Sequence, residues 1–143
     1  MRIISRSHQE TVAIGRRVGL GLKKGDVVCM YGELGAGKTT MIRGIAAGFG
    51  IDERDVTSAS FTIIAEYPGA VPFYHVDLYR LDDLRAIEET GLQEYLAGEG
   101  VCVIEWAGKA KGLVDCGVTV RMEFSDNGEG EDVRIISIDG LEV

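Results

Sequence analysis

No stretch of the chain approaches the roughly 20 apolar residues that cross a bilayer. The opening Met1-Arg2-Ile3-Ile4-Ser5 carries no apolar run followed by a cleavage site. Neither a membrane span nor a secretory leader is expected, which points to a cytoplasmic protein. Cysteine spacing for a metal or redox centre is also missing. Cys29, Cys102 and Cys116 are odd in number and far apart. They predict buried reduced thiols and a reducing compartment, with Cys116, in a glycine-rich loop, the one to watch for reactivity. Positive charge is scarce: 15 Lys and Arg face 23 Asp and Glu, a net charge of −8, with a pI near 4.7. Such a surface repels a phosphate backbone and argues against tight unaided binding to nucleic acid. The one dense basic stretch, Arg16, Arg17, Lys23 and Lys24, reads as a solvated face. Repeats and linkers are absent. A chain of 143 residues holds one domain with a sizeable core and is too short for two ordinary ones. A single domain over residues 1–143, monomeric on its own, is expected.

Glycine is plentiful, at 20 residues, and implies tight turns or close backbone approaches. Ser7-His8-Gln9-Glu10 has the capping-box pattern. It predicts a helix with Ile14, Val18 and Leu22 inward. Val27 to Tyr31 is a continuous apolar run, as a buried parallel strand shows. A helix from about Thr39 to Phe49 follows, with Met41, Ile42, Ile45, Ala46 and Phe49 at helical spacing. Further strands are expected over Ile63–Tyr67, Val71–Val76 and Val101–Ile104. Short helices are expected after Asp82-Asp83 and after Gly91. Val118–Phe124 and Val133–Ile138 read as an antiparallel pair around the polar hairpin loop Ser125 to Asp132. The alternation predicts an α/β fold: a mainly parallel sheet flanked by helices, with antiparallel strands at the C-terminal end.

The segment Gly32-Glu33-Leu34-Gly35-Ala36-Gly37-Lys38-Thr39 matches the full Walker A pattern. Its glycines let the backbone curl so that successive N–H groups point at phosphate oxygens. The following helix aims its positive end at the same place. Lys38 supplies a mobile charge for the β- and γ-phosphates, and the Thr39 hydroxyl suits magnesium. The pattern lies between a buried strand and an amphipathic helix, the context a P-loop requires. A nucleoside triphosphate with magnesium is the expected ligand.

Such a site also needs carboxylates at the ends of neighbouring strands. Asp77 closes one strand and Glu105 another. One of them is expected to steady the metal and the other to orient or deprotonate water, and the residue pattern leaves open which does which. His75 reads as a structural residue in preference to a catalyst. Trp106 either packs in the core or stacks near the base. The hydroxyl-rich Thr57-Ser58-Ala59-Ser60-Phe61-Thr62 is either a γ-phosphate switch or an ordinary polar loop.

Three segments together resemble one family, TsaE (also called YjeE), a small bacterial ATPase needed for the threonylcarbamoyladenosine modification of tRNA. They are the loop through Thr40, His75-Val76-Asp77-Leu78-Tyr79-Arg80-Leu81, and Ile104-Glu105-Trp106. The Thr11-to-Gly15 opening and the Ser58-to-Phe61 loop fit as well. The resemblance implies a P-loop NTPase fold with ATP and Mg²⁺ as cofactors. Glu33, Leu34, Gly35, Ala36, Gly37, Lys38, Thr39 and Thr40 would bind the phosphates. Thr39 and Glu105 would hold the metal, and Asp77 with Lys38 would serve hydrolysis. Thr11 and Trp106 would lie near the adenine, and Arg134 would approach the base. It also implies a weak ATPase that works through a TsaD–TsaB complex. Two departures from the family pattern stand out: Ala59-Ser60 replaces the usual Pro-Thr, and Ala107-Gly108-Lys109 follows Trp106 where an acidic residue is common. Two other functions use the same loop, a small-molecule or nucleotide kinase and a non-hydrolysing adaptor. The kinase is disfavoured because Arg43, Arg54, Arg80 and Arg85 are too scattered for an arginine-rich lid.

Overall fold

The computed structural model describes residues 1–33, 35–56, 63–125, 130 and 132–143. Leu34, the hydroxyl-rich segment 57–62, and positions 126–129 and 131 of the acidic loop lie outside the described residues.

Ser7 starts helix α1 (His8–Gly21) as expected: its side chain accepts from the Glu10 N–H at 3.1 Å. Glu10 reaches back to the Arg6 N–H at 2.6 Å. This is one residue further out than the reciprocal bond of a capping box. The apolar run becomes strand β2 (Val27–Tyr31), and helix α2 (Lys38–Ala47) leaves the glycine-rich loop. Strands β3 (Ile64–Tyr67) and β4 (Phe73–Asp77) follow. Pro72 lies just outside β4, and its carbonyl accepts from the Val101 N–H at 2.8 Å. Asp83 caps helix α3 (Leu84–Glu89), and Gly91 starts helix α4 (Leu92–Ala97). Strands β5 (Val101–Glu105), β6 (Val118–Phe124) and β7 (Arg134–Asp139) complete the expected set.

One strand was not expected. Arg2–Ser5 forms β1 and pairs antiparallel with β7. It is short and at the sheet edge, so its identity comes from its partner and not from an apolar run of its own.

The seven strands form one sheet in the order β1-β7-β6-β2-β5-β4-β3. The central strands β6, β2, β5 and β4 are parallel. Antiparallel strands flank them on both sides: β7 and β1 beyond β6, and β3 beyond β4. All of β5 is buried, as a strand covered on both faces must be. On one face α1 and α2 pack Ile14, Val18, Met41, Ile42 and Ile45 onto Val28, Met30, Val103 and Val120. On the other, Ile87, Leu92, Ala107 and Ala110 cover Cys29, Val76 and Ile104. Each fully buried Ile or Met contributes about 1.5–3 kcal/mol to folding.

The two helices on the first face meet with nothing between them. A Cβ on Gly15 would overlap the Met41 carbonyl oxygen, one on Gly19 that of Ile45, and one on Gly44 that of Val12. Several of the 20 glycines thus serve close approach and not turning.

The expectation of reduced thiols fails for two of the three cysteines. Cys29 on β2 and Cys116 before β6 form a disulfide across 87 residues of sequence. The parallel pairing of Val28 with Val118 brings the segment before β6 to β2, a proximity that linear spacing hides. It also removes the cysteine argument for a reducing compartment. Cys102 remains a buried free thiol, and burial pushes its pKa up to about 11. No helix among the described residues is long and apolar enough to cross a membrane.

Candidate nucleotide site

A cavity of about 380 Å³ opens beside the carboxyl ends of β2, β4 and β5, where ligands of parallel sheets bind. Its lining includes Gly35, Gly37, Lys38, Thr39 and Thr40 from the loop and α2, with Asp77, Glu105 and Trp106 opposite, and Thr11 and Arg134 at the side. Most of the residues singled out in the sequence therefore meet in one place.

Gly37 precedes α2 in the left-handed conformation, with φ of 99°, and no side chain caps the helix. A residue with a Cβ would be strained there. Gly37 has no side chain to satisfy the first N–H groups of α2, and a helix start of this kind attracts anions. Gly32 is needed for space: a Cβ would lie 2.8 Å from the Met122 carbonyl oxygen of β6.

Lys38 is almost wholly buried. Its Nζ donates to the Gly32 carbonyl at 2.6 Å and lies 3.9 Å from the centre of the Trp106 ring. Burial lowers its pKa, opposed by the nearby carboxylates of Glu105 and Asp77. Trp106 leaves β5 in the left-handed region, φ 59°, a costly conformation for a bulky residue that marks functional sites. Its ring stands 5.0 Å from that of Tyr79. It therefore faces the cavity and also packs.

Asp77 and Glu105 are register partners on β4 and β5, so both project from one face at the same height. Both are about 5% exposed. Asp77 Oδ1 accepts from the Tyr79 N–H at 3.0 Å. Glu105 Oε2 lies 2.7 Å from His75 Nε2. Among the described residues no group of three or more His, Cys, Asp or Glu forms a metal cage. Thr39, Asp77 and Glu105 instead supply hard oxygens of the kind that hold magnesium together with phosphates.

Thr11 shares a 2.6 Å hydrogen bond with Ser5, and the Ser5 hydroxyl donates to the Ser7 carbonyl. The Thr11 hydroxyl is then the donor to Ser5, and it faces a ligand as an acceptor. Arg134 braces the loop: Nε donates to the Ala36 carbonyl at 3.0 Å and an Nη to that of Gly35 at 3.3 Å. Ala36 is buried behind the loop. Glu33 lines a neighbouring cavity with Tyr31, Arg121 and Phe124, away from the carboxylates. Leu34 lies outside the described residues.

Sequence reasoning did not single out His8, Tyr79 or Asp132, which also line the cavity. His8 and Asp132 approach to 3.5 Å at its exposed edge. Tyr79 was visible only as part of the segment after Asp77. Lys109 ties that segment to the turn after Trp106 by donating to the carbonyls of Tyr79 and Leu81, at 2.5 and 3.1 Å.

Comparison with known proteins places the chain in a family. Residues 5–135 match the sequence profile of the family described as threonylcarbamoyl adenosine biosynthesis protein TsaE. A tRNA threonylcarbamoyladenosine biosynthesis protein TsaE from Treponema pallidum is 43% identical over 92% of this chain and 97% of its own length. One from Bacillus subtilis is 50% identical over 69% of this chain and 61% of the relative. The crystal structure of Bacillus subtilis YdiB superposes with a TM-score of 0.77 at 35% identity, covering 96% of this chain and 83% of that one. The chain belongs to the TsaE family, and its role lies in tRNA threonylcarbamoyladenosine biosynthesis.

Proposed function

We propose that the chain binds ATP with magnesium in this cavity and hydrolyses it weakly, in support of a TsaD–TsaB complex that carries out the modification. The observation that carries the reading is one juxtaposition. The side-chain-uncapped start of α2 with Lys38 faces two buried, register-paired carboxylates across a single cavity.

The phosphates would lie on the N–H groups of the loop and of α2. Lys38 would exchange the Gly32 carbonyl and the Trp106 ring for phosphate oxygens. Thr39 and Glu105 would hold the magnesium ion, which when bound neutralises developing charge on the β- and γ-phosphates. Asp77, held by the Tyr79 N–H, would orient the attacking water and take its proton. Thr11, as an acceptor, suits the amino group of adenine.

The deciding experiment is phosphate release from ATP by the purified protein, with and without a TsaD–TsaB complex. Low release that rises strongly with the complex is expected. Measurable ATP binding without release in either condition would replace the ATPase with an adaptor. Transfer of phosphate to a nucleoside or nucleoside monophosphate would replace it with a kinase.

A further inference from the structure

His75 takes no part in the chemistry above, yet it lies on β4 with no exposed surface. Its Nδ1 is buried and has no hydrogen-bond partner among the described residues. An unmet buried polar atom destabilises the fold, and an apolar side chain of similar size would avoid that cost. What the imidazole supplies in return, among the described residues, is one side-chain hydrogen bond, Nε2 to Glu105 Oε2 at 2.7 Å. A carboxylate only accepts, so Nε2 carries the hydrogen and donates it.

The two cavity carboxylates are held in different ways. Asp77 is short and is fixed by a backbone N–H two residues on. Glu105 has a longer, freer side chain, and the backbone beyond it turns away at Trp106. Its orientation rests on a side chain, that of His75.

We propose that His75 is a positioning residue. Its Nε2–H fixes Oε2 of Glu105, so that the other oxygen, Oε1, is presented to the magnesium ion that arrives with the triphosphate. The proposal rests on the ATP–magnesium reading of the cavity.

The test measures binding, not turnover. A non-hydrolysable ATP analogue is titrated calorimetrically into the full chain across a range of magnesium concentrations and in EDTA. His75→Leu should raise the magnesium concentration for half-maximal binding about 10-fold, a typical loss on removing a partner of a metal ligand. Its affinity in EDTA should stay at the wild-type value. His75→Gln, whose amide N–H reaches the Nε2 position, should recover most of the loss. An unchanged magnesium requirement in His75→Leu would overturn the proposal. So would an equal loss of affinity with and without magnesium, which would show a packing role only. If His75→Leu does not fold, His75→Gln is compared with His75→Asn, whose amide stops short of Glu105. A higher magnesium requirement in His75→Asn supports the proposal, and equal requirements overturn it. Failure of the parent reading is seen separately, on the unmutated protein: if magnesium does not affect its binding of the analogue, both readings fall.

Discussion

Toward α2 the cavity offers a ligand backbone N–H groups and one lysine. Toward β4 and β5 it offers two carboxylates and a tilted pair of aromatic rings. The first wall is specified locally. The turn into α2 forms because glycine tolerates φ of 99° at position 37 and close approach at position 32. The second wall is specified by tertiary register. Asp77 and Glu105 become neighbours only because β4 and β5 pair in parallel. Under the ATP reading the first wall binds and the second wall reacts, so damage to each should have a different signature.

The largest expected effect is on the reacting wall. Asp77→Asn should lower ATP hydrolysis in the presence of the partner complex by about 10²–10⁴-fold, with little change in affinity for a non-hydrolysable analogue. If affinity falls in parallel, Asp77 is a binding residue and the division between the walls is wrong. Next, Lys38→Ala should weaken triphosphate binding on the order of 100-fold, the loss of a charge-assisted contact worth about 2–3 kcal/mol. The circular dichroism spectrum should not change. Wild-type affinity in that variant would contradict the assignment of the binding wall.

The Cys29–Cys116 bridge ties β2 to the segment before β6. Cys29 lies on the strand that leads into the loop, and Cys116 lies beyond the turn that follows Trp106. Cys116→Ser should lower stability by about 2–4 kcal/mol, read as a lower urea midpoint without reductant. A wild-type midpoint indifferent to reductant would mean that the bond contributes nothing in solution. The smallest effect belongs to the start of α1. Ser7→Ala should cost about 1 kcal/mol and lower the melting temperature slightly. A larger loss would mean that α1 depends on its cap more than on its packing.

The contrast between the walls also explains what the sequence made legible. The glycine-rich turn into α2, the buried strands around it and the capped helix could be read because each is a local pattern. So could the roles of Asp77 and Glu105 as strand-end carboxylates, though not their pairing at one height. The edge strand β1, the disulfide and the Ser5–Thr11 bond were not legible, since each depends on a partner distant in space or ambiguous in sequence. Arg134 was expected near the base, and the structure shows it bracing the carbonyls of Gly35 and Ala36 while it lines the cavity. In the sequence His75 reads as a structural residue in preference to a catalyst; the structure shows it buried, and its bond to Glu105 follows only from the β4–β5 register.

The glycine seam between α1 and α2 has a mechanical consequence. With Gly15, Gly19 and Gly44 set directly against the backbone of the facing helix, neither helix can slide or roll on the other without a collision of main chains. Thr11 lies on one and Lys38 on the other, which predicts that their separation stays the same whether the cavity is full or empty. That side of the cavity is the fixed jaw of a vice. Any adjustment to a ligand would then fall to the opposite jaw, where Tyr79, Trp106 and Lys109 hold one another by ring contact and carbonyl bonds. Hydrogen exchange on adding nucleotide should accordingly change around Tyr79 and Trp106 and leave the α1–α2 seam untouched.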